Sequence, residues 1–518
     1  MATTTFRSLS SNILLGAVLL LGGLVTGCVD DEPSDGPDTT VDATADARPD
    51  VADTTDTGVD GSDTGDTTEA PDTTDGGMMS CSFPEVEIAG TSKTSQLADG
   101  PEHCGMDSYK WLRDAPVGQV TDWAPEVEFQ KGLLEGIADS QGFTIPRPLE
   151  YDVAMSRYTY KTQDRGEVVE ASSLVAYPKG MEADEPVDVM VVLHGTSGFN
   201  DMCAPSEDAA GKGLAALFAS WGYLVIAPDY IGLKGDEEMT GFLHPYLVGQ
   251  ATAIASLDAV RSLNHMPAGR RGELCPSNDL LVFGGSQGGH AALWVDRMQP
   301  YYAREYDLLG TVATVPPADL VAEGERALDK MVNATGNLLA FLGASSDWYG
   351  VRDRLDEVVQ SPYDKDLPTA LEMKCNPGDG IDVPSTTDDI FTAELLEKVR
   401  NDEFASVDPW GCMAVENSLT DTRIERIGQR DDSYGIFYVL GEKDNLVHTP
   451  IERKSFEELC NNGMPLKYKE CKGAGHVETS FWAMPEILDF LDARQAGETF
   501  QGSSSCEATA PVQCEGMQ

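Results

Sequence analysis

The sequence predicts an α/β fold: a mostly parallel sheet with helices on both faces and an inserted, mainly helical cap. Three observations carry this. From Cys81 onward, short β-branched runs alternate with helical stretches, the pattern of strands joined by crossover helices. One run, Val187 to Leu193, is almost continuously apolar, as a central strand buried on both faces requires. Between about Ala318 and Arg430 the rhythm breaks into helical segments among polar, Pro- and Gly-containing loops, which reads as an insertion able to fold over the sheet.

Further strands are expected at Tyr223 to Ala227, Leu280 to Gly284, Gly310 to Val315, Gly435 to Leu440 and Leu466 to Cys471. Helical spacing marks about Glu207 to Trp221, Gly249 to Leu263 and Gln287 to Met298, and within the insertion Leu320 to Met331 and Thr392 to Val399. Phe341, Trp348, Tyr349 and Trp410 of the insertion are candidates to line a substrate pocket or, equally, to form the core of a small helical subdomain. The expected organisation is a leader over 1–28, an acidic tether over 29–80, sheet over 81–317, the cap over 318–430, sheet again over 431–495, and a C-terminal tail over 496–518.

Charge narrows the function. With 87 acidic and 36 basic side chains the formal net charge is −51, which repels phosphate backbones and argues against a nucleic-acid partner. Residues 29–80 hold 16 acidic side chains and one base, Arg48, and too little apolar surface to bury a core, so an extended tether is expected. Its Asp residues at 53, 56, 60, 63 and 66 lack the alternating spacing of a calcium loop.

Arg7 precedes an apolar run from Ile13 to Val25, too short for a comfortable membrane span and followed by small residues, as in an export signal. It ends in Val25-Thr26-Gly27-Cys28, which resembles the bacterial lipobox and implies lipidation of Cys28 and anchoring to a membrane. Val29 rather than Asp follows the cysteine, so an outer membrane or cell surface is the expected location. Setting Cys28 aside, ten cysteines remain, enough for five disulfides in an oxidising compartment. Cys460 with Cys471, or Cys506 with Cys514, lie close enough in sequence to staple loops. No C-x-x-C occurs, so a zinc ribbon has no support and no metal ligand set is assigned.

The strongest motif runs from Leu280 to Leu293, where an apolar strand enters Gly284-Gly285-Ser286-Gln287-Gly288 and then a helix-forming run. Glycines two residues either side of a serine relieve crowding in a tight strand-to-helix turn that presents the hydroxyl above the sheet. A serine hydroxyl needs a base, and the chain order Ser, acid, His restricts the choice. Of the histidines after Ser286, His290 lies one turn along the elbow helix and His448 is expected at a rim or in packing. His476, in a Gly-rich loop after a strand, is the expected base. Asp444, in the turn after the strand ending at Leu440, is the expected acid, with Glu442 as its competitor. Two backbone amides should hold an oxyanion: that of Gln287, and that of Thr196 in the loop Leu193-His194-Gly195-Thr196. Such chemistry needs no metal or organic cofactor.

The set His194-Gly195-Thr196, Cys203-Ala204-Pro205-Ser206, Ala227-Pro228-Asp229-Tyr230-Ile231-Gly232, His244-Pro245-Tyr246 and the Gly284 to Gly289 elbow resembles the secretory lipase family, the fungal lipase A type and its bacterial relatives, within the α/β-hydrolases. The resemblance covers about residues 150 to 300 and 430 to 492. It implies an esterase or lipase acting on small-molecule or lipid esters, with a helical cap before the acid-bearing strand. Two rival readings are a serine peptidase of the prolyl-oligopeptidase kind, which lacks support because no repeats precede the core, and an idle hydrolase scaffold used for binding.

Overall fold

One ten-stranded sheet runs through the described part of the computed structural model, which comprises residues 81–88, 104, 110–140, 143–235, 240–382, 384–428 and 431–517. The expected leader with Cys28 and the acidic tether lie outside these residues. The strands are β1 (Val120–Trp123), β2 (Val127–Phe129), β3 (Val153–Asp164), β4 (Glu167–Pro178), β5 (Val187–Leu193), β6 (Leu224–Pro228), β7 (Pro276–Gly285), β8 (Asp307–Thr314), β9 (Gly435–Gly441) and β10 (Leu466–Cys471). Their spatial order is β1-β3-β4-β6-β5-β7-β8-β9-β10, with β2 beside β3. From β6 to β10 every pairing is parallel, whereas β1 to β4 add antiparallel strands at one edge.

Those antiparallel strands were not legible in the sequence. β3 and β4 pair over twelve residues each, joined by Arg165 and Gly166, both at positive φ, as a two-residue hairpin turn demands. Their buried positions include Ser156, Thr159, Thr162, Gln163, Ser172 and Ser173, so the apolar alternation that marks a strand is missing. Buried hydrogen bonds satisfy several of these groups, including Thr162 to Asp258 and Ser172 to Asp229.

Both faces of the parallel strands are covered. Val189, Val191 and Leu193 of β5 with Leu280 and Val282 of β7 join one apolar cluster, while Met190 and Val192 with Leu281 and Phe283 join the other, following the two-residue period of a strand. The first face is covered by α3 (Gly249–Arg261), α4 (Gln287–Tyr302) and α10 (Thr449–Asn461). On the second lie α1 (Lys131–Ser140), α2 (Ala209–Ser220) and α12 (Met484–Gln495). α2 begins where the Asp208 side chain accepts from the Ala210 and Gly211 amides, an N-cap that satisfies otherwise orphaned donors. A short helix, α11 (His476–Trp482), precedes α12.

Between β8 and β9 the chain forms α5 (Leu320–Asp329), α6 (Thr335–Trp348), α7 (Tyr363–Met373), α8 (Ala393–Arg400) and α9 (Trp410–Asn417). Of its four aromatic candidates only Phe341 faces the main pocket. Trp348 is buried with its indole N–H on the Asp164 carboxylate, Tyr349 bonds Asn417, and Trp410 is fully buried. Those three are therefore core residues.

Five disulfides join Cys81 to Cys275, Cys104 to Cys412, Cys203 to Cys375, Cys460 to Cys506 and Cys471 to Cys514. The suggested pairs Cys460 with Cys471 and Cys506 with Cys514 are not formed. Cys460 ends α10 near the start of β10, and Cys471 closes β10 about 17 Å further along an extended strand. Each instead reaches the C-terminal segment, which is no loose tail: Val512 bridges to Cys471, and Phe500 occupies the space over Gly435.

Phe218 of α2 is completely buried against Trp221, Tyr223 and Phe283. Phe218→Ala is expected to cost about 3–5 kcal/mol in a denaturant titration; a loss under about 1 kcal/mol would mean this face does not support the sheet.

Candidate active site

At the C-terminal end of β7 the chain turns into α4 through Ser286, whose φ is 59° and ψ −123°. This left-handed conformation is costly for a residue with a Cβ. It is held by the Ser286 amide donating to Thr314 O at 2.9 Å and by Ser286 O accepting the His290 amide at 3.1 Å. The flanking glycines follow from space. A Cβ on Gly284 would lie 2.0 Å from Gly288 O, and one on Gly288 would lie 2.1 Å from Leu193 O, closer than any real contact.

Two further loops converge on the serine. His476, first residue of α11, places Nε2 2.8 Å from Ser286 Oγ and Nδ1 2.6 Å from Asp444 Oδ2. Asp444 sits in the turn after β9, where its Oδ1 accepts from the amides of Leu446 (2.9 Å) and Val447 (3.1 Å). The competitor Glu442 turns away to accept from the Gly473 amide at 2.7 Å. That bond, with Lys443 N to Ala474 O at 2.8 Å, ties the acid turn to the histidine loop. His290 is buried under the elbow with Nε2 against Asn417 O, and His448 caps the start of α10 with its backbone N–H on Glu323.

The structure brings the loop at Thr196 to the elbow: a Cβ on Gly195 would stand 3.6 Å from Ser286 Cβ. The Thr196 hydroxyl meets Tyr246 OH at 2.8 Å, which also accepts from Asn337 Nδ2 at 3.0 Å. Gln287 opens α4, almost fully buried, with its side-chain nitrogen 2.7 Å from His244 Nε2. Burial lowers the His244 pKa to about 3, so the ring is neutral. Its Nδ1 faces Ile231 O at 2.9 Å and must donate there, leaving Nε2 to accept from the Gln287 amide.

Beneath the Thr196 loop lies a buried polar knot. His194 stacks on Tyr230 at 4.1 Å, and its ring nitrogens face Gly195 O and Asp229 O. Burial holds this imidazole neutral, with a pKa lowered to about 4. Asp229 accepts from the Ser172 hydroxyl (2.6 Å) and the Ser206 amide (2.8 Å), yet burial pushes its carboxyl up to about 7.

A pocket of about 70 Å³ opens beside Ser286 and Gln287, walled by Leu247, Leu320, Leu338, Phe341 and Val447 among others. Most of this lining was not singled out in the sequence, because apolar residues on amphipathic helices look alike whether they face core or cavity. Glu323 is the one acidic residue among the described residues of the wall. Burial raises its carboxyl to about 7, against the lowering effects of the His448 amide and Arg326. Among the described residues, Cys104, Cys412 and Glu416 stand close enough to hold a metal, but both thiols are consumed in a disulfide.

A mostly parallel sheet, helices on both faces and a serine at positive φ between strand and helix define the α/β-hydrolase fold. Residues 213–502 match the secretory lipase family, and the chain belongs to that family. The match runs through the insertion, which the motifs alone did not reach. Lipase 2 of Candida albicans is 23% identical over 291 residues, covering 55% of this chain and 58% of that protein, so this chain spans little more than half of that relative. The rice cell wall degrading esterase LipA from Xanthomonas oryzae has a similar structure (TM-score 0.58, 17% identity, covering 74% of this chain and 98% of that one). So does Candida antarctica lipase A in its closed state (TM-score 0.56, 15% identity, covering 77% and 88%). These structures share the fold.

Asp229 generates a prediction about pH. Its folded pKa of about 7 exceeds its ordinary 3.8, so its contribution is fully present below about pH 4 and is lost as the pH rises toward 7. Asp229→Asn, which keeps the shape, is expected to flatten the fall in Tm between pH 4 and 7; an unchanged slope would assign that fall to other groups.

Proposed function

We propose that this chain is an exported serine carboxylic-ester hydrolase with Ser286 as nucleophile, His476 as base and Asp444 as the orienting acid. The observation that carries this reading is the continuous hydrogen-bonded series Asp444–His476–Ser286 at the mouth of an apolar pocket. Ser286 Oγ attacks the ester carbonyl while His476 Nε2 takes its proton. Asp444 accepts from Nδ1–H and so fixes the tautomer that leaves Nε2 free to receive the proton. The amides of Thr196 and Gln287 are the proposed oxyanion donors. His476 then protonates the departing alcohol, and water, activated by the same imidazole, hydrolyses the acyl-enzyme and restores the serine.

The pocket beside Ser286 is small, about 70 Å³, and walled mostly by apolar side chains, which favours a short acyl chain. Rates on p-nitrophenyl esters from acetate to palmitate are expected to peak at the short end. Ser286→Ala should lose kcat on the order of 10⁴-fold or more and all labelling by a fluorophosphonate probe. Activity on no ester despite labelling would favour a peptidase. No labelling of the wild type would favour an idle scaffold.

Export is supported by five disulfides, which persist in oxidising compartments. Membrane anchoring through lipidated Cys28 belongs to the same proposal and rests on the sequence Val25 to Cys28. Cells fed radiolabelled palmitate are expected to label the wild type and not Cys28→Ala; equal labelling would remove Cys28 as the lipid site.

A further inference from the structure

The turn that carries Asp444 is gripped from outside by one turn of α5. Resting on the serine-hydrolase reading, we propose that Arg326 and Glu323 are positioning residues that hold the Asp444 carboxylate in line with His476, acting through shared peptide planes.

Three consecutive peptide units follow Asn445 Cα. The first joins Asn445 C=O to Leu446 N–H: its N–H donates to Asp444 Oδ1 at 2.9 Å, and its oxygen accepts from Arg326 Nη2 at 2.6 Å. The second joins Leu446 C=O to Val447 N–H. Its N–H donates to the same Oδ1 at 3.1 Å, and its oxygen accepts from Arg326 Nη1 at 3.3 Å. The third places the His448 N–H on Glu323 Oε1. Glu323 Oε2 in turn accepts from Arg326 Nη1 at 2.8 Å.

A trans peptide is planar and rigid, with its N–H and C=O pointing to opposite sides. Fixing the oxygens of two planes therefore fixes the direction of the two N–H groups that hold Asp444. The bonds to the guanidinium also polarise each plane, strengthening the N–H as a donor. Both α5 side chains are largely sheltered, at 12% and 9% exposure, so water competes little for these contacts. The other carboxylate oxygen, Oδ2, is the one 2.6 Å from His476 Nδ1. A rotation of Asp444 that relaxed its Oδ1 bonds would take Oδ2 off the imidazole.

Because both residues belong to the insertion and neither touches Ser286 or His476, the expected signature is kinetic. With the full chain and p-nitrophenyl butyrate, Arg326→Gln should lower kcat on the order of 10- to 100-fold, with KM changed less than about twofold. Arg326→Lys, whose ammonium can still reach one carbonyl, should recover part of that loss. A double-mutant cycle isolates the route. In an Asp444→Asn background, Arg326→Gln should cost less than about twofold, since the group it positions is already disabled. An unchanged kcat for Arg326→Gln, or an equal loss in both backgrounds, overturns the proposal. Should Arg326→Gln fail to fold, Glu323→Gln carries the same test, with a smaller loss of kcat and the same dependence on Asp444. Ser286→Ala run in parallel separates the two readings. Full activity there removes the serine-hydrolase reading itself, whereas its inactivity beside a wild-type Arg326→Gln removes only the positioning role.

Discussion

The constraint on which the rest depends is the turn at Ser286. A residue with a Cβ held at φ 59° persists only where its surroundings over-determine it. Here they do so from three sides: Thr314 at the end of β8 accepts its amide, Leu193 at the end of β5 closes on Gly288, and Gly284 lies against the Gly288 carbonyl. The neighbouring parallel strands thus fix the turn, and the turn lifts one hydroxyl off the sheet. Parallel strands are needed for this, because their C-terminal ends then gather on one edge, where the loops with Thr196, Asp444 and His476 also emerge.

Around that turn the protein places uncharged polar groups where charges would be expensive. His194 and His244 are both kept neutral by burial, and each serves as a strut: one stacks under the Thr196 loop through Tyr230, the other receives the Gln287 side chain. A buried neutral imidazole with a fixed tautomer offers one donor and one acceptor in rigid geometry without the desolvation cost of an ion. The Gln287 side chain is therefore held by a hydrogen bond whose sense is determined, whereas the neutral His194 ring, with a carbonyl oxygen at each nitrogen, donates to only one of Gly195 O and Asp229 O.

How much of this was legible in the sequence depended on whether the signal was local. Val187 to Leu193 and Leu466 to Cys471 were read with their observed bounds, the first because a strand buried on both faces writes itself as a nearly continuous apolar run, the second because Leu466 and Tyr468 alternate with Lys467 and Lys469 along the last strand of the sheet. The spatial meeting of Ser286, Asp444 and His476 followed from chain order and the turns after strands. What escaped was non-local or polar. β3 and β4 bury serines, threonines and a glutamine against partners such as Asp258 and Asp229, which erases their periodicity. The cystine pairs depend on which segment lies beside Cys460 and Cys471, and sequence distance pointed to the wrong neighbours. Arg326 looks like any basic residue in an amphipathic helix until the Asn445 and Leu446 carbonyls are seen against it.

The loops of the proposed triad are also braced from opposite sides by segments far apart in the chain. Asp444 is held through α5, which belongs to the insertion, while the His476 loop is held by the C-terminal segment. There Lys472 N donates to Val512 O, Val512 N donates to Glu470 O, and Cys471 is bonded to Cys514. Between the two braces run the bonds from Gly473 to Glu442 and from Lys443 to Ala474. Neither brace contacts the serine. A site assembled this way gains its alignment from contacts that a sheet alone does not provide, which gives a physical reason for the insertion and the C-terminal segment to fold against the sheet rather than hang from it. The 2.8 Å approach of His476 to Ser286 then reflects the whole arrangement, since displacement of either flanking segment would be felt as rotation of a carboxylate or an imidazole about fixed Cα positions.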